Sequence, residues 1–162
     1  MLLRFIKTVE LPAIGQFKPE DYIKVTPRRE RMTAKVVIGY VSNDAKSAMK
    51  GRVEPKEAKV RIRNHELCQA SADGSILVEL GENANLSFNR VFQMMQKQGR
   101  GQEGDLSVSD GCANIFFIRD VNKGVLWAAF CYWGSSCGDW GVDADPVTSP
   151  GAWGASSQVF SC

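Results

Sequence analysis

The sequence predicts an α+β domain: a mostly antiparallel sheet of about six to eight strands with one principal helix packed on it, a layout the two-layer rule for small domains allows. Three observations predict it. Short runs rich in β-branched and aromatic residues recur between turn formers. One segment, at about 84–98, has a clear helical period. Two strands flanking residues 121–124 are apolar on both faces and so demand a cover on each side.

Residues 2–9 read as a first strand, with Leu3, Phe5 and Val9 between polar residues. Pro12, Gly15 and Pro19 mark a stretch of turns. Residues 21–26 read as a short strand ended by Pro27, and the basic run Arg28-Arg29-Glu30-Arg31 follows. Residues 33–41 are rich in β-branched side chains and read as a strand. Residues 43–51 are polar and fit a loop or a single helical turn. In 57–63, Val60 and Ile62 point one way and Lys59, Arg61 and Arg63 the other. Asp73-Gly74 signals a turn, with Ser75–Leu80 as a strand behind it.

The helix rests on Phe88, Val91, Phe92 and Met95, spaced i, i+3, i+4 and i+7. Asn83 or Asn85 can cap its start, and Gly99 fits the position after its end, where Lys97 and Arg100 suit the helix dipole. Met94-Met95 reads as core packing; the alternative is an adaptable binding wall, with Met94 as the pocket-lining candidate. A polar, glycine-rich loop spans 99–112. Its Gly99-Arg100-Gly101-Gln102-Glu103-Gly104 spells G-x-G-x-x-G, but it follows a helix instead of a strand, so the dinucleotide reading fails on context.

The remainder reads as a meander. Residues 114–120 pair with 125–133 across Val121-Asn122-Lys123-Gly124, a third strand covers 139–145, and a fourth covers 157–161. In the second strand, Val125, Trp127, Ala129, Cys131 and Trp133 face one way, and Leu126, Ala128, Phe130 and Tyr132 the other. Its partner sets Ile115 and Phe117 against Phe116 and Ile118. The helix covers one side. The other side calls for the N-terminal strands folded over it or for a second copy, so a homo-oligomer is expected.

Asn114–Val121, Gly124–Ala128, Gly151-Ala152-Trp153 and Gln158-Val159-Phe160-Ser161 resemble the C-terminal part of short bacterial proteins of uncharacterised activity carried on mobile gene cassettes, such as integron cassettes. The resemblance covers about the last third of the chain. It implies a small, soluble, often oligomeric accessory protein and transfers no catalytic residue.

Composition narrows the class further. The 162 residues, 44% hydrophobic and 23% charged, suit a single domain over 1–162 with its own core. No apolar run reaches the roughly 20 residues that span a bilayer. The start, Met1-Leu2-Leu3-Arg4-Phe5-Ile6-Lys7, is broken by charge and lacks a secretory pattern, so no membrane and a cytoplasmic location are expected. The five cysteines include no C-x-x-C pair and accompany one histidine, His65, which points to free thiols over a zinc site. Residues 1–100 carry a surplus of seven positive charges, and residues 101–162 a surplus of five negative ones.

Candidate functional residues follow from this charge layout. Lys59, Arg61 and Arg63 form a basic stripe suited to anions, against the plainer reading of a solvated strand face. Only Tyr40 lies close as an aromatic, so a nucleic-acid partner is poorly supported. Asp139, Asp143 and Asp145 share one strand face and are the only metal candidates, for magnesium or calcium. However, about 13–14 Å separates the first two at the usual strand rise. The alternatives are a solvated edge or a seat for the basic stripe of another copy. His65 and Cys68 would meet only on a helix, without a third group to orient them. Trp133 and Trp153, beside turn glycines, are candidates for a pocket mouth. No cofactor is expected. The residues favour a self-associating accessory protein that binds an anionic or small-molecule partner. The alternatives are an enzyme with a pocket between the helix, the 99–112 loop and the C-terminal hairpin, or a structural interaction module.

Overall fold

A computed structural model of the chain describes residues 1–120 and 122–162. In chain order the elements are β1 (Leu3–Leu11), α1 (Pro19–Tyr22), β2 (Ile38–Val41), α2 (Asn43–Met49), β3 (Val60–Leu67), α3 (Asp73–Leu80), β4 (Asn85–Leu86), α4 (Phe88–Lys97), β5 (Asn114–Asp120), β6 (Val125–Gly134), β7 (Asp139–Pro146) and β8 (Gln158–Ser161). The strands form one 8-stranded sheet in the order β1-β3-β8-β5-β6-β7-β2, with β4 beside β5. β1–β3, β3–β8, β5–β6 and β6–β7 pair antiparallel. β2–β7, β5–β8 and β4–β5 pair parallel, so the α+β fold is built on a mixed sheet. Val121, the first residue of the expected 121–124 turn, lies outside the described residues.

Both faces of the β5–β6 hairpin are buried, each under a different helix. On one face, Phe116, Ile118, Ala129 and Cys131 pack with Phe88, Val91, Phe92 and Met95 of α4, the four residues that define its helical stripe. On the other, Ile115, Phe117 and Ala128 pack with Ile76 and Leu80 of α3. The expected strand at 75–80 is therefore a helix. A short apolar run does not distinguish the two by periodicity. A strand would send Ile76, Val78 and Leu80 to one side. The helix buries Ile76 (0%) and Leu80 (8%) and leaves Val78 85% exposed. The N-terminal strands do not fold over the hairpin either, since β1 and β3 extend the same sheet. α3 thus supplies a cover for the part of this face around Ile115, Phe117 and Ala128.

Smaller departures have local causes. In the expected strand at 21–26, residues 21–22 belong to α1, begun by Pro19 at the first helical position, where its missing N–H costs nothing. Within 33–41 only Ile38–Val41 is a strand, because Val37 donates instead to the Gly99 carbonyl (3.0 Å). The polar 43–51 segment yields α2, capped by Ser42, whose Oγ accepts from the Ala45 N–H at 3.0 Å. The principal helix starts later than 84: its cap is Ser87, not Asn83 or Asn85. Gly99 does follow its end, but without the left-handed backbone that position favours. A Cβ there would overlap the Lys35 carbonyl, so close approach of the 35–36 backbone requires the glycine. Among the described residues, no helix is long and apolar enough to cross a membrane.

The helical reading of 73–80 is open to a direct check. Ile76→Ala should cost about 2–4 kcal/mol in chemical denaturation. Val78→Lys should change stability by no more than about 0.5 kcal/mol. Equal losses at the two positions would instead match a strand.

Candidate functional site

A charged concavity lies where the α2–β3 connection meets the β5–β6 turn. It is a cleft of about 320 Å³ whose walls include Lys50, Arg52, Glu54, Arg119, Asp120 and Lys123. That size is at the small end of the roughly 300–1,000 Å³ typical of small-molecule sites. Lys50 follows α2 as its C-cap residue, and the next N–H, of Gly51, is held by the Glu20 carboxylate at 2.6 Å. Arg52 joins the two walls: its Nε donates to Glu54 (2.9 Å), its Nη1 donates to the Arg119 carbonyl (3.1 Å), and its guanidinium lies 5.5 Å from the Phe88 ring centre. Lys123 donates to the Ser47 carbonyl at 3.2 Å and closes the rim.

The two carboxylates of this cleft are turned to internal work. Glu54 accepts from the Phe88 and Asn89 N–H groups at 2.9 and 2.7 Å, satisfying the start of α4. Burial pushes its carboxyl above the ordinary range, against the pull of those N–H groups and Arg52. Asp120 Oδ1 accepts from the N–H groups of Asn122 and Lys123, both at 3.1 Å, and so shapes the turn. Among the described residues, no carboxylate pairs with Lys50, Arg119 or Lys123. Arg119 meets the cleft through its carbonyl, while its side chain shares the strand face of Phe117 and Leu126, so the unpaired cations of the cleft are Lys50 and Lys123. One signal for it exists in the sequence: Arg119 and Lys123 are the only two cations in residues 101–162, and both flank the hairpin turn.

The anion candidates Lys59, Arg61 and Arg63 lie elsewhere. All three are exposed on the β1–β3 flank, but Arg61 is paired with Glu10 at 2.9 Å and Arg63 stacks over Phe5 at 5.4 Å. Arg63 does line a cleft of about 310 Å³ with His65 and Glu79. His65 is buried on β3, and burial, with Arg63 second, lowers its pKa below the usual value. Cys68 is exposed beyond the strand end, so strand geometry separates this pair. Met94 is 1% exposed, inside the core. Trp133 packs edge-on against Trp140, with ring centres 5.4 Å apart, and covers the backbone of Gly101 at the start of the 99–112 loop.

Trp153 stands between two clefts. Its Nε1 donates to Asp73 Oδ1 at 2.7 Å, and its ring meets Phe130 edge-on with centres 4.7 Å apart. One cleft, of about 120 Å³, includes Asp73 and Asp145; the other, of about 270 Å³, includes Cys112, Phe130 and Tyr132. Burial raises the pKa of both Asp73 and Asp145; Asp145 adds to the rise at Asp73, as Asp143 and Asp44 do at Asp145. Asp139 pairs with Arg31 at 2.6 Å. Among the described residues, no three His, Cys, Asp or Glu side chains are grouped so as to hold a metal ion, those of the Asp139, Asp143 and Asp145 row included.

A carboxyl with a raised folded-state pKa holds its proton more tightly than in the unfolded chain. Stability then falls as pH climbs from the ordinary carboxyl value through the raised one. Asp145→Asn removes that loss, and should raise the Tm at pH 7 and leave it nearly unchanged at pH 3. An equal shift at both pH values would show that the carboxylate's charge is not the cause.

Comparison with protein-family models, with curated proteins and with solved structures gives no significant match, so the functional reading rests on the residues of this chain.

Proposed function

We propose that the protein is a small accessory binding protein whose ligand is an anion, taken up in the cleft of Lys50 and Lys123. The observation that carries this reading is the charge arrangement: Lys50 and Lys123, without carboxylate partners among the described residues, line a cleft whose own carboxylates bond inward. Uncompensated cations on a fixed frame attract phosphate or carboxylate groups, and charge-assisted hydrogen bonds hold them. No aromatic ring lines the cleft, which favours recognition of an anionic group over stacking of a nucleobase.

An enzymatic reading would need a titratable group free to exchange a proton. Glu54 is the candidate by its raised pKa, but both its oxygens are taken by the start of α4 and by Arg52, which supports binding over catalysis. The resemblance of the C-terminal third to proteins of mobile gene cassettes fits an accessory role.

Isothermal titration of the full chain with inorganic phosphate and pyrophosphate tests the proposal. Saturable binding is expected, with pyrophosphate the tighter. Raising salt from about 50 to about 300 mM should weaken it, because the charges are exposed to screening. The Lys50→Gln/Lys123→Gln variant should bind about tenfold more weakly, a loss of about 1.4 kcal/mol. Absence of binding, or equal binding by the variant, overturns the proposal.

A further inference from the structure

The sheet face under α3 is covered only in part. α3 covers Leu3, Leu67, Ile115, Phe117 and Ala128. Further along, toward β7 and β2, Phe130 and Tyr132 are half-buried, Tyr40 is 51% exposed, and Asp139, Asp143 and Asp145 line β7. We propose that this β6–β7–β2 half-face is a docking surface for an extended basic segment of a partner protein, with lysine or arginine at alternate positions.

Spacing is the first argument. Side chains on one face of a strand recur every ~7 Å. Asp143 and Asp145 are one such step apart, and Asp139 lies two steps away across Gly141. A single ion cannot bridge this row. An extended chain lying along β7 has the same repeat and can meet each carboxylate in turn. A precedent lies within the fold. The Arg31 guanidinium already sits on the first carboxylate of the row, 2.6 Å from Asp139, and also reaches the Cys137 carbonyl at 3.3 Å.

Charge and surface shape are the second argument. Among the described residues, Asp143 and Asp145 pair with no cation, and Asp44 and Asp73 add to the same negative field. Opposite Asp143 and the vacant Gly141 position lie Phe130 and Tyr132 of β6. A Cβ at residue 141 would overlap the Tyr132 ring, so the glycine lets that ring lie along the sheet beside the carboxylates. Aromatic faces next to carboxylates suit guanidinium groups, which stack and hydrogen-bond at once.

A second copy is the weaker occupant, although Lys59, Arg61 and Arg63 share the alternating repeat. Register across the sheet sets Arg63 opposite Ser161, and Asp145 opposite Ala128, which faces Phe117 next to the Phe116–Phe160 pair. Arg63 and Asp145 are thus level. Arg61 and Lys59 run on one way from that level, and Asp143 and Asp139 the other. A two-fold axis along the strands would bring only Arg63 onto Asp145, and Arg61 is already held by Glu10.

The test is fluorescence anisotropy of the full chain with two labelled nine-residue peptides of arginine and threonine, one alternating and one with the arginines contiguous. The alternating peptide should bind at least about fivefold more tightly. Asp143→Asn/Asp145→Asn, which preserves shape and relieves repulsion, should weaken it about tenfold, and Tyr132→Leu should weaken it severalfold. Lys50→Gln/Lys123→Gln should leave it unchanged, keeping this surface separate from the anion cleft. Equal binding of the two peptides, no binding, or an unaffected aspartate variant overturns the proposal. So does a dimer in sedimentation that the peptide dissociates, since a second copy would then occupy the face.

Discussion

The β5–β6 hairpin must be buried on both faces, and the rest of the fold follows from that requirement. Phe116, Ile118, Ala129 and Cys131 need one cover; Ile115, Phe117 and Ala128 need another. α4 meets the first need with a strongly one-sided stripe. α3 meets the second with only two well-buried residues, Ile76 and Leu80. The covers are therefore unequal in reach. α4, helped by α2, spans its face as far as Trp140 and Val142 of β7, whereas α3 stops near Ala128. The open half-face beside Tyr132 is the part of the hairpin's second side that a helix of this length does not reach.

The same requirement explains the basic cleft. α4 is held against the sheet at its start by a buried polar network. Glu54 holds the Phe88 and Asn89 N–H groups, and Glu57 accepts from Ser87 Oγ at 2.6 Å. Arg90, almost fully buried, donates to the carbonyls of Pro12 and Ala58. Burying such groups costs free energy unless each is matched, and here nearly all are. The network ties the irregular 50–58 segment to the start of α4 at Glu54, Glu57 and Ala58. Lys50 and Arg52 are carried on that wall, and the β5–β6 turn supplies Lys123 from the other. A site made of fixed walls loses little entropy when an anion enters.

How much of this was legible depended on the range of the interaction. The β5–β6–β7 part of the meander, the α4 stripe and the parity of Lys59, Arg61 and Arg63 were readable, because period 2 and period 3.6 are local properties; the fourth strand instead lies between β3 and β5, a long-range placement. The 75–80 segment was misread because Ser75-Ile76-Leu77-Val78-Glu79-Leu80 is too short for its period to decide, and its helical state is set by the face it covers. The cleft was legible only in the isolated cations beside the hairpin turn, for a different reason. Lys50 and Lys123 are brought together by the sheet order, in which β2, next to α2 in sequence, pairs with β7 and not with its sequence neighbours. The Asp139, Asp143 and Asp145 row was legible as a shared face. That it is half-uncovered was not, since that depends on where α3 ends.

Charge ties these features together. If the positive first part of the chain and the negative last part neutralised each other on folding, neither surface would be available. Few contacts cross between them: Lys7 and Lys97 share Asp105, and Arg31 takes Asp139. Most other pairs close within the first part, such as Arg61 with Glu10 and Arg52 with Glu54. Among the described residues, Asp143 and Asp145 are left without cations at one surface, and Lys50 and Lys123 without carboxylates at another. Opposite charges held apart at a cost in Coulomb energy are kept apart by the packing, and burial of the hairpin is the term large enough to do so. A buried aromatic or aliphatic side chain contributes ~1.5–3 kcal/mol, whereas an exposed ion pair contributes about 1 kcal/mol or less. The fold can therefore leave both charged surfaces unpaired without losing stability that matters, and each remains open to a partner of the opposite sign.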